Sequence, residues 1–168
     1  MVWFGVFSAL ILLFSNAQSK CPDGFVHHGD SCYLFSILQV SWIQAMKLCE
    51  IYNGELAVVE SEQEQMFLER YLNSTWRNAN QTDGVWIGGT DLLVDGEWIW
   101  ARSGQPISYF RWGPGEPNTV HMDLGGEDCI DLLRTENFMW NDEPCEYHMN
   151  FVCEKPFEVP ENSGLVIG

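Results

Sequence analysis

Six cysteines constrain this chain more than any other feature: Cys21, Cys32, Cys49, Cys129, Cys145 and Cys153. All six follow an almost uniformly apolar run from Val2 to Phe14. An even number of cysteines in an oxidising compartment implies three disulfides, although their spacing alone leaves the pairing open. Zinc is the structural alternative. No Cys-x2-Cys pair exists and no histidine stands at zinc-finger spacing from a cysteine, which disfavours it.

The apolar run is too short to span a bilayer and no stop-transfer segment follows it. Small residues at Ser15-Asn16-Ala17 and at Ala17-Gln18-Ser19 suit signal-peptidase cleavage. Residues 1–19 are therefore expected to be a signal peptide and the protein to be secreted, with no membrane insertion. An uncleaved anchor is the rival reading, because no Lys or Arg precedes the run. The remainder of the 168 residues suits one compact domain, 20–156, followed by a flexible tail, 157–168.

A formal charge of −16 argues against nucleic acid and anionic membranes as partners, and favours cations. The acids are clustered. Between Glu116 and Glu146 stand nine of them against one base, Arg134. A solvated surface is the plain reading of such a cluster; a hard-cation site is the sharper one.

Short-range patterns predict an α+β fold. Phe25 to Phe35 reads as a hairpin around Gly29-Asp30. Ser41-Trp42-Ile43-Gln44 and Ser61-Glu62-Gln63-Glu64 are capping boxes that start two helices. The first is expected to bury Trp42, Ala45, Met46 and Cys49, the second Met66, Phe67, Tyr71 and Leu72. Leu56 to Val59 reads as a short buried strand between them. Further on, Trp98 and Trp100 share one strand face. Trp42, Trp98, Trp100 and Trp140 are assigned to the core, with only Trp112 allowed a place near a ligand. Arg102 to Glu127 lacks periodicity, and an aperiodic loop of that length inside a compact domain is usually functional. Asn73-Ser74-Thr75 and Asn80-Gln81-Thr82 are N-glycosylation sequons, which mark Asn73 and Asn80 as acceptors.

Trp86-Ile87-Gly88-Gly89, Glu116-Pro117-Asn118 and Trp140-Asn141-Asp142, in this order and among these cysteines, resemble the C-type lectin domain in its long form with an extra N-terminal hairpin. The resemblance runs from Cys21 to Cys153. The stretch from Asp91 to Trp100 and the approach Tyr109-Phe110-Arg111-Trp112 look most like perlucin-type lectins, known from molluscan shells. The family implies two helices, short antiparallel sheets and a long calcium-binding loop. It also implies the pairs Cys21–Cys32, Cys49–Cys153 and Cys129–Cys145, and a cis bond before Pro117.

The same resemblance implies a principal calcium site of Glu116, Asn118, Glu127, Asn141 and Asp142. Three carboxylates and two amides suit a hard cation that takes six to eight oxygens, and positions are left for two vicinal sugar hydroxyls. Each hydroxyl can donate to a carboxylate and accept from an amide, which fixes its orientation. Glu-Pro-Asn implies mannose, glucose, N-acetylglucosamine or fucose; Gln-Pro-Asp would imply galactose. Asp91, Asp95 and Asp128 match an auxiliary calcium site in which Thr119 replaces a carboxylate. The stretch from Thr119 to Gly126 is longer than in compact mannose-binding relatives, so His121, Met122 and Asp123 could add contacts. If the carboxylates titrate normally, binding should fade towards pH about 4.

Two rival functions remain in view. A glycosidase could use Glu127 with Asp128, or Glu116 with Asp142, but cation ligation explains these carboxylates better and the family is non-catalytic. The second rival is a shell or matrix protein of the perlucin type binding calcium carbonate, with sugar binding secondary. Sugar should compete with lectin binding but not with adsorption to mineral. Recognition of microbial glycans in innate immunity is the leading biological role, by family analogy.

Overall fold

The computed structural model describes residues 20–76, 81–118 and 126–158. The expected signal peptide, Asn80, the insertion residues Thr119, His121, Met122 and Asp123, and the tail beyond residue 158 lie outside them. Strands β1 (Val26–His28) and β2 (Ser31–Val40) form the expected hairpin, with Gly29 at φ 57° in its turn. Glycine meets that left-handed requirement without steric cost.

The hairpin opens a sheet of order β1-β2-β8-β4-β6-β7, in which β4 is Val85–Thr90, β6 Cys129–Leu133, β7 Met139–Glu143 and β8 Met149–Pro156. Two short strands lie off this path: β3 (Glu55–Leu56) pairs with β8, and β5 (Ile99–Trp100) pairs with β4. The antiparallel ladders are joined by one parallel pairing, β4 with β8, so the sheet is mixed. The strand read at Leu56–Val59 is cut short because Ala57 N–H bonds Val152 O, whereas Val58 N–H turns to the Glu154 carboxylate.

Both helices start where the serines place them. Helix α1 (Trp42–Ile51) has the complete capping box of Ser41 and Gln44, and buries Trp42, Ala45 and Cys49, with Met46 half-buried. In α2 (Glu62–Thr75) Ser61 accepts from Glu64 N–H, but the Glu64 carboxylate reaches back to Glu60 N–H at 2.9 Å, one residue earlier than a capping box requires. Its buried face also differs from the periodicity reading. Gln65, Leu68 and Leu72 point inward, while Met66 is 43% exposed. Phe67 and Tyr71 flank that face: Phe67 stacks on His28 at a ring separation of 4.1 Å, and Tyr71 on Phe35 at 4.0 Å.

The disulfides are Cys21–Cys32, Cys49–Cys153 and Cys129–Cys145. The second ties α1 to β8 across 104 residues of sequence. Tryptophans fill the core, and three buried indole N–H groups have partners: Trp42 on Ile87 O, Trp86 on Val40 O and Trp140 on the Gln65 side chain. Such pairing removes the penalty of burying a donor. Beyond β8, Phe157 N–H bonds Asp30 O and its ring stacks on His27, which seats the start of the C-terminal segment on the hairpin. No helix among the described residues is long and apolar enough to cross a membrane.

Candidate metal and carbohydrate site

Strands β6 and β7 are antiparallel neighbours, which sets Asp131 opposite Asn141 and Ile130 opposite Asp142. The Cys129–Cys145 bridge closes the far end of this hairpin. The long loop is seated on β7 by two backbone bonds, Trp140 N–H to Arg111 O at 2.8 Å and Gly113 N–H to Trp140 O at 2.7 Å. A turn follows, with Glu116 N–H bonded to Gly113 O, and then the cis Glu116–Pro117 peptide.

Past that bond, Asn118 N–H donates to both carboxylate oxygens of Asp142, at 3.0 and 3.1 Å. The Asn118 side-chain amide donates to Glu116. Loop and hairpin are thereby joined through these three residues. Asn118, Glu127, Asp142, Asp91, Asp95 and Asp128 face one cleft of about 300 Å³. Glu127, Asn141 and Asp142 are buried, at 6%, 6% and 1% exposure. Acids this deep need a proton, a donor or a cation.

The electrostatics carry the mark of that crowding. Burial, reinforced by the Glu116 carboxyl beside it and opposed by the Asn118 N–H, pushes Asp142 up to about 7. Burial raises Asp91 as well, with Asp128 and Asp95 adding to it and the Gly96 N–H opposing. Asp128 is raised by burial and then by Asp95 and Glu146. One oxygen of Asp91 accepts from Gly96 N–H at 2.8 Å; the other is buried with no partner among the described residues. Divalent charge would relieve both clusters, and the oxygen donors suit a hard cation. By their chemistry these oxygen donors fit calcium, although among the described residues no three acidic side chains are already gathered closely enough to hold an ion.

Two residues in or beneath the cleft were not singled out as functional by sequence reasoning. Trp98, assigned to the core, is 8% exposed and lines the cleft. Trp112, which does not line the cleft, packs edge-on against Trp98 at 4.9 Å. Asp131 is fully buried under the site and accepts from Asn141 Nδ2 at 3.0 Å. A carboxylate inside the apolar run Cys129-Ile130-Asp131-Leu132-Leu133 was the available signal. Asn73 is exposed in the last turn of α2, where Thr75 of its sequon bonds Tyr71 O.

Comparison with known proteins agrees with this architecture. The Lectin C-type domain profile matches residues 38–155. Perlucin from Haliotis laevigata is 32% identical over 146 residues, covering 86% of this chain and 88% of perlucin. Human C-type lectin domain family 10 member A is 36% identical over 149 residues, 83% of this chain, but the match spans only 42% of that longer protein. The solved cow CD23 C-type carbohydrate-recognition domain, crystallised in the presence of a GlcNAc2Man3 oligosaccharide, superposes with a TM-score of 0.71 at 34% identity, covering 84% of this chain and all of that one. This chain belongs to the C-type lectin domain family, a family of carbohydrate-binding proteins that are not enzymes.

Proposed function

We propose that the protein is a secreted, calcium-dependent lectin of the mannose type. Glu116, Asn118, Glu127, Asn141 and Asp142 would hold the principal ion, and Asp91, Asp95 and Asp128 an auxiliary one. A bound calcium ion supplies positive charge and open coordination positions for two vicinal hydroxyls. The chain's own carboxylates then accept from those hydroxyls while its amides donate to them.

The observation that carries this reading is the bifurcated hydrogen bond from Asn118 N–H to both oxygens of Asp142, which brings the Glu-Pro-Asn loop onto the Trp140-Asn141-Asp142 strand. The order Glu116 then Asn118 supports equatorial hydroxyl pairs, as in mannose, glucose, N-acetylglucosamine and suitably placed fucose. Three disulfides support an extracellular setting. Glycan recognition in innate immunity is the corresponding biological role.

Capture on immobilised mannan and galactan, with calcium and then with EDTA, tests the reading. Retention on mannan that EDTA abolishes and free mannose competes is the expected result. No retention on either resin would overturn the lectin function. The −16 charge and the match over most of perlucin favour one second reading, adsorption to calcium carbonate or a mineral matrix. Adsorption that free mannose leaves untouched distinguishes it.

A further inference from the structure

We propose that Asp131 is the positioning residue that sets the orientation of the Asn141 amide, so that its oxygen faces away from the hairpin and is free to meet a cation. The inference rests on the calcium reading above and extends it to a residue outside that set.

Oxygen and nitrogen of an asparagine amide are nearly the same size, so its orientation is decided by hydrogen-bond partners. Asn141 has two such partners on its nitrogen side. Nδ2 donates to Asp131 Oδ1 at 3.0 Å and to the Asp142 carbonyl at 3.0 Å. A backbone carbonyl only accepts, and so does the carbonyl oxygen of a carboxyl group. Both therefore demand the NH2, and the planar amide turns its oxygen to the opposite side. The cross-strand register enforces the meeting, because Asp131 and Asn141 are directly opposed in the β6–β7 ladder.

Asp131 does not look like a residue that stabilises the fold. It is completely buried, and its second oxygen has no partner among the described residues. A half-used buried carboxyl costs free energy. The space around it is kept by Gly84, where a Cβ would collide with Asp131 Oδ2 and Met149 Sδ. A destabilising group held against a ligand side chain is the pattern by which outer residues orient metal ligands, and losing one typically costs 10- to 100-fold in affinity.

Two variants and one spectrum test this. Asp131→Asn keeps an acceptor oxygen; Asp131→Val removes it while suiting a buried strand. In calcium-free protein the Asn141 side-chain NH2, assigned by its loss in Asn141→Asp, should exchange slowly with water in wild type and in Asp131→Asn, and rapidly in Asp131→Val. Calorimetric titration should show calcium affinity about tenfold or more weaker in Asp131→Val and within about threefold of wild type in Asp131→Asn. The melting temperature of calcium-free Asp131→Val should be no lower than wild type, which a merely structural role would not give. Wild-type affinity in Asp131→Val, or equal losses in both variants, would overturn the proposal. An Asn141 NH2 exchanging at the free-amide rate in wild type would overturn it whether or not the valine variant folds. If wild type binds no calcium, the calcium reading fails, and the exchange rates still decide whether Asp131 orients Asn141.

Discussion

Asn118 N–H lies between the two carboxylate oxygens of Asp142, 3.0 Å from one and 3.1 Å from the other. This contact spans 24 residues of sequence and holds the Glu-Pro-Asn loop against the β6–β7 hairpin. Because burial, reinforced by Glu116 beside it, pushes Asp142 up to about 7, proton and cation compete for it near neutrality. Calcium affinity should therefore begin to fall as pH drops below about 7, well before the value of about 4 expected for ordinary carboxylates. Calorimetric titrations at pH 8, 7, 6 and 5 check this. A flat affinity down to pH 5 would contradict the raised Asp142 carboxyl.

The same carboxyl should matter to the calcium-free fold with the opposite sign. A carboxyl raised in the folded state contributes stability while it is protonated, and loses it as pH rises through its folded value. Asp142→Asn should thus remove calcium binding yet leave calcium-free protein at pH 8 at least as heat-stable as wild type. Thermal melts with EDTA at pH 5 and pH 8 measure it.

On β8, burial raises the Glu154 carboxyl despite its bonds from Ser31 Oγ and Val58 N–H. Its folded value lies above the unfolded one, so its contribution is present at low pH and is lost as pH rises through that folded value. The stability of Glu154→Gln relative to wild type should increase from pH 4 to pH 8. Urea melts at both pH values read the sign directly, and a relative stability that falls with pH would contradict it.

Gln65 carries more of the core than its polarity suggests. Fully buried, it accepts from the Trp140 indole N–H at 2.8 Å and donates to Phe138 O at 2.8 Å. Gln65→Leu strands both groups, and an unpaired buried group costs about 1–3 kcal/mol, so a loss of about 3 kcal/mol or more is expected in urea unfolding. A loss below about 1 kcal/mol would show that the two groups find other partners.

The bridges should separate stability from binding. Removing Cys49–Cys153, which closes 104 residues, should cost about 4–5 kcal/mol in the chain-entropy model. Removing Cys129–Cys145, with a separation of 16, should cost about 3 kcal/mol but weaken calcium binding more, because it frees the hairpin that carries Asn141 and Asp142. Paired Cys→Ala variants, melted and titrated with calcium, compare the two.

Local chemistry made much of the fold legible. Ser41 and Ser61 mark their helix starts because a cap needs only its own next three residues. The inward face of α2 was not legible: Gln65 is polar, and its burial depends on Trp140 and Phe138, more than seventy residues away. Leu56–Val59 reads as a strand by composition, yet its pairing ends where Glu154 offers Val58 a side-chain acceptor. At the site, Asn118, Glu127 and Asp142 of the motif-derived set face the cleft, whereas Glu116 and Asn141 do not line it. The motifs do not reveal Asp131, whose place under Asn141 follows from the β6–β7 register, nor Trp98, which is both buried and part of the cleft wall.

On the proposed reading, Glu116 and Asn118 choose the sugar through their order around Pro117. Exchanging acid and amide in the double variant Glu116→Gln, Asn118→Asp preserves the donor count and reverses the polarity of the pair. Retention of this variant on mannan and galactan, in calcium and in EDTA, is the most direct test. Preference should move from mannan to galactan and stay EDTA-sensitive. Unchanged capture on mannan would contradict it.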